Sequence, residues 1–431
     1  MRRSRFAQAG FIVLFLAGCS STGTQAPTAA SPASASPGPT TVVSSATPAP
    51  TPSPSPSPSP TASPSPGPTP LTTANGWQEV PTQAALAEVE TSLVIWTGQR
   101  FLAAGMLDDG SAGILDSSDG QTWHSQAGFG PDSRINNLSV GPAGVLALGA
   151  QDANARSWFS TDGLTWSAAP ASAATTPAKG HTVRMNAAAS TGSGWLAVGE
   201  EDVSCEVDCD SSTAVRADVW TSSDGLHWTL QPGSDALVKS AMTGVVRGRP
   251  GYVAVGGAPD SAKPTTGSGH AVVWVSTDGR NWSRIQDAPI FDATGEIDPG
   301  LDVSASAIAT DGSHFVAVGE GASQDLTTAV AWWSDDGRTW QRASGERFPN
   351  GQLFQVASVP GGYLGTGPSS SDSCLGGIWS SADGQAWSCI AADPPFEDIA
   401  AADAAASPTL ELVVGYDENG GGSVLWTRPV P

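Results

Sequence analysis

The chain has 431 residues, including 50 Gly and 34 Pro, and only 14% of it is charged, so a helical bundle or a coiled coil is excluded. Nineteen basic residues against 41 acidic ones give a net charge of -22. Nucleic acid and anionic membrane surfaces both need a basic footprint, and neither fits as the main partner.

The N-terminus opens with Met1-Arg2-Arg3-Ser4-Arg5, followed by an apolar run over residues 6–17. A basic start, an apolar run too short to cross a bilayer and a small-residue end predict an export signal. Leu16-Ala17-Gly18-Cys19 resembles the lipobox of bacterial lipoproteins, because small residues and a Cys coincide at the end of that run. The resemblance implies a signal peptide over 1–18, lipidation of Cys19, and a lipid-anchored protein on the extracytoplasmic face of the cell membrane. Residues 20–72 hold no charged residue and 15 of the 34 prolines. Such a segment buries too little apolar surface to offset its ordering entropy, so 19–72 is expected to be a disordered tether. In polyproline II geometry, at about 3.1 Å per residue, it reaches on the order of 150 Å.

From residue 73 to 431 one motif recurs. Its first copy is Ser117-Ser118-Asp119-Gly120-Gln121-Thr122-Trp123, and five more surround Asp162-Gly163, Asp224-Gly225, Asp278-Gly279, Asp336-Gly337 and Asp383-Gly384, with Trp166, Trp228, Trp282, Trp340 and Trp387 after the turn. The glycines are spaced 43, 62, 54, 58 and 47 residues apart. A second Trp precedes each Gly by five residues in five copies, namely Trp158, Trp220, Trp274, Trp332 and Trp379. Upstream lies a short apolar strand ending in Gly, as in Phe101 to Gly105, Trp195 to Gly199, Tyr252 to Gly256 and Phe315 to Gly319. Asp-Gly between apolar strands is a hairpin signal: Gly supplies a positive φ and the Asp carboxylate binds the turn amides. Four short strands repeated at about 50 residues predict the blade of a β-propeller.

The repeat resembles that of the Asp-box, or bacterial neuraminidase repeat, propellers, whose motif is Ser-x-Asp-x-Gly-x-Thr-Trp. It departs in having Asp and Gly adjacent. The resemblance implies an all-β propeller in which Asp119, Asp162, Asp224, Asp278, Asp336 and Asp383 are structural, and it marks a fold rather than a chemistry, since such boxes occur in sialidases, other glycoside hydrolases, receptors and assembly factors. At the C-terminus Leu412-Val-Val-Gly415 and Trp426 match a blade that stops before its Asp-Gly turn, while Gly76-Trp77 matches the stretch just after such a turn. We therefore expect seven four-stranded blades, the seventh closed by an N-terminal strand. On this reading Phe129, Phe291, Phe348 and Phe396, after the fourth strands, are repeat core.

Four cysteines come after Cys19, an even number in an exported chain, which favours disulfides. Of the three pairings, Cys205 with Cys209 and Cys374 with Cys389 are preferred as local ones. No His or second Cys pair accompanies Cys205 and Cys209 at zinc-ligand spacing.

Strand order puts the loops between second and third strands, and those between blades, on one face, opposite the Asp-Gly turns. These loops vary in length, so the binding face is expected there. Acids gather just after the second-strand glycines: Asp108, Asp109, Glu200, Glu201, Asp202, Glu320, Asp417 and Glu418. Two readings stand open, an acidic mouth for Ca²⁺ or a cationic or polyhydroxylated ligand and a solvated polar rim. A sialidase, by family resemblance, needs an arginine triad, an activated Tyr and an Asp. The Arg-Ile-Pro segment of its first blade is missing here, and Tyr252 and Tyr363 occupy an apolar repeat slot. The expected function is a monomeric, non-catalytic binding module for a protein or an extracellular glycan, with no cofactor. A glycoside hydrolase and an assembly factor for another exported protein are the alternatives.

Overall fold

The computed structural model describes residues 75–126, 128–203, 215–249, 251–259, 269–285, 289–291, 302–322, 327–345, 348, 351–369, 374–391, 396, 399–417 and 422–431. Cys19, the tether, Cys205, Cys209 and Glu418 lie outside the described residues.

Seven antiparallel sheets form a seven-bladed β-propeller. Blade 1 contains Val89–Trp96, Phe101–Leu107, Ala112–Ser117 and His124–Ser125 from the inside out. Blades 2 to 6 repeat this order, with inner strands Ser133–Gly141, His181–Ser190, Ala241–Gly248, Asp302–Thr310 and Gln355–Val359. Blade 7 comprises Ile399–Ala406, Leu410–Asp417, Ser423–Pro429 and, as its outer strand, Gln78–Glu79 from the other end of the chain. Gln78 pairs with Thr427 and Glu79 with Trp426, so the ring closes through its N-terminal strand. Blade 6 gains a fifth short strand, Ser344–Gly345, running parallel to Ala386–Cys389.

Neighbouring blades share seven hydrophobic clusters, one at each blade-to-blade junction. The recurrent Phe residues are wedges in these junctions. Phe129, at the exit of blade 1, lies 5.0 Å from Trp158 and 5.5 Å from Trp166 of blade 2, and Phe291 packs on Trp332 and Trp340 of blade 5 in the same way. The third-strand Trp also holds the connection that enters its blade: the indoles of Trp220, Trp274 and Trp332 donate to the carbonyls of Ala174, Ala236 and Ile290 at 2.7–2.8 Å.

In all six Ser-x-Asp-Gly turns the Gly amide donates to the Ser hydroxyl. The Asp carboxylate accepts the amides two and three residues on. Each Gly has a positive φ, and Gly120, Gly163, Gly225, Gly279 and Gly384 face the preceding blade so closely that a Cβ at Gly279, for one, would lie 2.4 Å from Leu196 Cδ1. Adjacent Asp and Gly thus serve both the hairpin and the blade junction. The amides of Asn281 and Arg280, with the Asn281 side chain, hold the Asp278 carboxyl well below the usual carboxylate range. A depressed folded pKa adds stability that is complete above about pH 4 and is lost as pH falls further. Asp278→Asn is accordingly expected to lower the melting temperature by roughly 2 °C at pH 7 and to flatten its decline between pH 4 and pH 2. A variant that melts in parallel with the parent across that interval would show that this carboxylate is not engaged.

A second glycine set shapes the channel. Gly105, Gly149, Gly199, Gly256, Gly319, Gly367 and Gly415 each abut a carbonyl on or just before the inner strand, of Glu90, Arg134, Arg184, Ala241, Ser304, Gln352 and Ala400 in turn, and a Cβ would lie 1.9–2.3 Å from that oxygen. In six blades this contact is next to a bulge in the inner strand. The second strand does not stop at its Gly, as the sequence suggests. It runs on to Leu107, Gln151, Val203, Pro259, Ala322 and Asp417 in those six blades.

Candidate functional site

Because neighbouring strands alternate in direction, the loop face collects the beginnings of the inner strands and the ends of the second strands. The seven residues opposite the glycines, six on inner strands and Gln352 just before that of blade 6, therefore form one ring of equivalent positions around the channel mouth: Glu90, Arg134, Arg184, Ala241, Ser304, Gln352 and Ala400. It is polar at five positions and carries two arginines on adjacent blades. Arg134 and Arg184 are exposed; Arg134 reaches toward Met106 of blade 1, whereas Arg184 Nη1 lies 3.1 Å from Glu200 Oε1.

Beyond this ring stand the acids expected from sequence, dispersed over blades 1, 3, 5 and 7. Asp108 and Asp109 occupy the turn between Phe101–Leu107 and Ala112–Ser117. The Asp109 carboxylate accepts the hydroxyl and amide of Ser111 at 2.6 and 2.9 Å, which lowers its pKa. Glu320 accepts a hydrogen bond from the Gln352 side chain of the next blade, and burial raises its pKa against that bond. Asp417 ends the second strand of blade 7 beside Tyr416.

Blade 3 brings the largest set together. Glu200, Glu201 and Asp202 are strand residues rather than loop residues, because Trp195–Val203 continues past Gly199. Glu200 is buried, 8% exposed; burial raises its pKa and Arg184 opposes the rise. Glu201 accepts from His181 Nδ1 at 2.8 Å and Arg216 Nη2 at 2.7 Å, and Arg216 Nε also binds Asp218 at 2.8 Å. Burial likewise raises Asp218 against the charge of Arg216. The result is a band of alternating charge across three strands at the rim. His181, Arg184, Arg216 and Arg134 were not singled out from the sequence. They lie outside the Trp and Gly repeats, and only the strand register reveals their convergence.

Asp403 is another residue without a sequence signal. It sits beside the bulge in the inner strand of blade 7, where it accepts the Val94 amide of blade 1 at 2.9 Å and the Ala404 amide at 2.8 Å. Burial pushes its pKa up to about 7 despite both bonds.

Among the described residues no three His, Cys, Asp or Glu side chains are grouped as metal ligands. Cys374 and Cys389 are joined by a disulfide with Cα atoms 5.6 Å apart, tying the loop before Ile378–Ser381 to the outer strand of blade 6. Tyr252 and Tyr363 are buried, at 7% and 2% exposure, and they stand at the Asp-Gly end of their strands, away from the mouth.

No protein-family model matches the chain, and no match was found among curated proteins. Solved structures similar to it include a Trypanosoma rangeli sialidase in complex with sialic acid, at 12% identity and TM-score 0.44 over 83% of this chain and 59% of the sialidase. Another is the uncomplexed Pyrococcus horikoshii acylaminoacyl peptidase, at 10% identity and TM-score 0.47 over 80% of this chain and 53% of the peptidase. The chain thus spans somewhat over half the length of each.

Proposed function

We propose that this chain is a lipid-anchored, extracytoplasmic propeller of the Asp-box class that binds a protein or an extracellular glycan at its loop face without catalysis. The observation that carries the reading is the state of the mouth carboxylates. Glu200, Glu201, Asp218 and Glu320 are each held by a side chain of the protein itself, so the acids form a fixed electrostatic pattern. General acid–base chemistry would instead need a carboxylate free to exchange protons with a substrate. A charged rim of both signs suits recognition, where complementary charge sets specificity and association rate.

One observation favours glycoside hydrolysis as a second reading. Glu200 and Glu320 are both raised by burial, as a general acid requires, and exposed arginines stand in the same ring.

The test begins with a fluorogenic sialoside and other glycosides, for which no turnover above the buffer rate is expected. Turnover abolished by Tyr416→Phe or Glu320→Gln would promote the hydrolase. For a ligand found by screening glycans and exported proteins, Arg134→Glu should weaken binding at least tenfold. As an exposed position it should keep stability within about 0.5 kcal/mol; unchanged affinity would sink the loop-face assignment. Cys19→Ala should release the protein from the membrane fraction or leave its signal uncleaved, and unchanged fractionation would refute the anchor.

A further inference from the structure

The opposite face carries a feature that the repeat does not demand. In blade 4 the hairpin between Ala241–Gly248 and Gly251–Pro259 carries two arginines, Arg247 and Arg249. A shallow, open depression lies beside it, lined by both arginines, Tyr252, Thr277, Asp278 and hairpin glycines. The corresponding hairpins of the other blades are an internal control. They read Thr97-Gly98-Gln99-Arg100, Gly141-Pro142-Ala143-Gly144, Thr191-Gly192-Ser193-Gly194, Asp311-Gly312-Ser313-His314, Pro360-Gly361 and Ser407-Pro408-Thr409. Only the first of these has an arginine, and Arg100 is paired with Asp116 at 2.8 Å. The scaffold therefore forms this hairpin without arginine, and the pair in blade 4 must answer to something else.

Their setting is prepared for a ligand. Arg247 Nη1 donates to the Thr191 carbonyl of blade 3 at 2.8 Å, which fixes the guanidinium while leaving most of its five N–H donors available. Arg249 is exposed and has no acidic partner among the described residues. The hairpin between them is held down, since a Cβ at Gly248 would lie 2.3 Å from the Phe315 ring of blade 5. Arg247 also acts on the Tyr252 hydroxyl, whose pKa is raised by burial and pulled back by that guanidinium. Asp278 is the acid on the wall, and its carboxylate is already taken by the amides of Arg280 and Asn281, the Asn281 side chain and the Ser276 hydroxyl. Two guanidiniums thus face one engaged carboxylate, in a protein of net charge -22.

We propose that this depression binds a sugar carrying a tetrahedral oxyanion, a sulfate or phosphate ester, with Arg247 and Arg249 on the ester oxygens and the Thr277 hydroxyl available to the sugar hydroxyls. Guanidinium forks match tetrahedral oxyanions in geometry as well as charge, and the exposed Thr277 beside them offers a hydroxyl to the rest of an ester. The site is separate from the loop face and does not depend on the function proposed for it.

Titration calorimetry on the whole domain tests this with glucose 6-sulfate, glucose 6-phosphate, inorganic sulfate and unmodified glucose. Saturable binding of the two esters is expected, at least tenfold tighter than inorganic sulfate or glucose and weakened by added salt. Arg249→Ala should cut affinity at least tenfold with an unchanged melting temperature, and Arg247→Ala should do the same even if its lost bond to Thr191 loosens the hairpin. Arg338→Ala, at an Asp-Gly turn of blade 5, should leave ester binding intact, as should Arg134→Glu on the other face. Absence of ester binding, or ester binding that survives the Arg249 substitution, would overturn the site. A phosphatidylglycerol vesicle arm separates the sources of the anion: vesicle binding that the sugar esters fail to compete would overturn the sugar assignment in favour of a lipid headgroup.

Discussion

Deleting residues 73–81 is expected to cost about 5 kcal/mol of stability and to make the propeller aggregate, while deleting residues 20–70 should leave the melting temperature unchanged. The first deletion removes Trp77, which is completely buried in the cluster shared by blades 6 and 7 with Phe396, Val413 and Trp426, and loss of a core Trp alone costs about 3–5 kcal/mol. It also strips the ladder partners of Trp426 and Thr427 and the bond from the Val80 amide to the Leu425 carbonyl. Ser423–Pro429 then becomes a bare edge, a template for pairing with a second chain. Thermal melts with size-exclusion chromatography decide the matter; equal behaviour of the two deletions would contradict ring closure through the N-terminus.

Glu411→Ala should cost as much as loss of that Trp in the same blade. Glu411 and Arg428 face each other across Leu410–Asp417 and Ser423–Pro429 and form an ion pair, with side chains 2% and 13% exposed. The Arg428 guanidinium lies 4.7 Å from the centre of the Trp77 ring. Removing one partner of such a pair leaves an uncompensated buried charge and costs about 3–5 kcal/mol, whereas replacing both with apolar groups of similar volume is close to neutral. Glu411→Leu with Arg428→Met should therefore recover most of what Glu411→Ala loses in denaturant titration. Additive losses in the double variant would show that the two residues act separately.

The parts legible in the sequence are those that the repeat enforces. The Asp-Gly turns require a particular backbone and a particular acceptor, so Asp, Gly and Trp recur at fixed offsets and the blade count can be read from them, including the blade shared between the two ends of the chain. The glycine after each apolar strand is visible but its meaning is not. It looks like the end of a strand, yet its lack of a Cβ accommodates a carbonyl of the neighbouring inner strand, and the strand continues beyond it. That is why Glu200, Glu201 and Asp202, expected on a loop, stand instead on a strand, one buried and two at its rim. The cations around them have no sequence signal because their positions tolerate many residue types. Arg134 and Arg184 occupy the ring slot that holds Ala in blades 4 and 7.

The closing strand has a mechanical consequence. The described chain enters blade 7 at Asn75 and Gly76, and Gln78–Glu79 pair antiparallel with Ser423–Pro429, so a load applied along Gln78–Glu79 would shear this short ladder. Bonds loaded in this direction share the force instead of parting one by one, and the Trp77 ring must be drawn from beneath Arg428 before the ladder can slide. The ring is thus latched where its first and last strands meet, by a two-residue ladder and one buried indole.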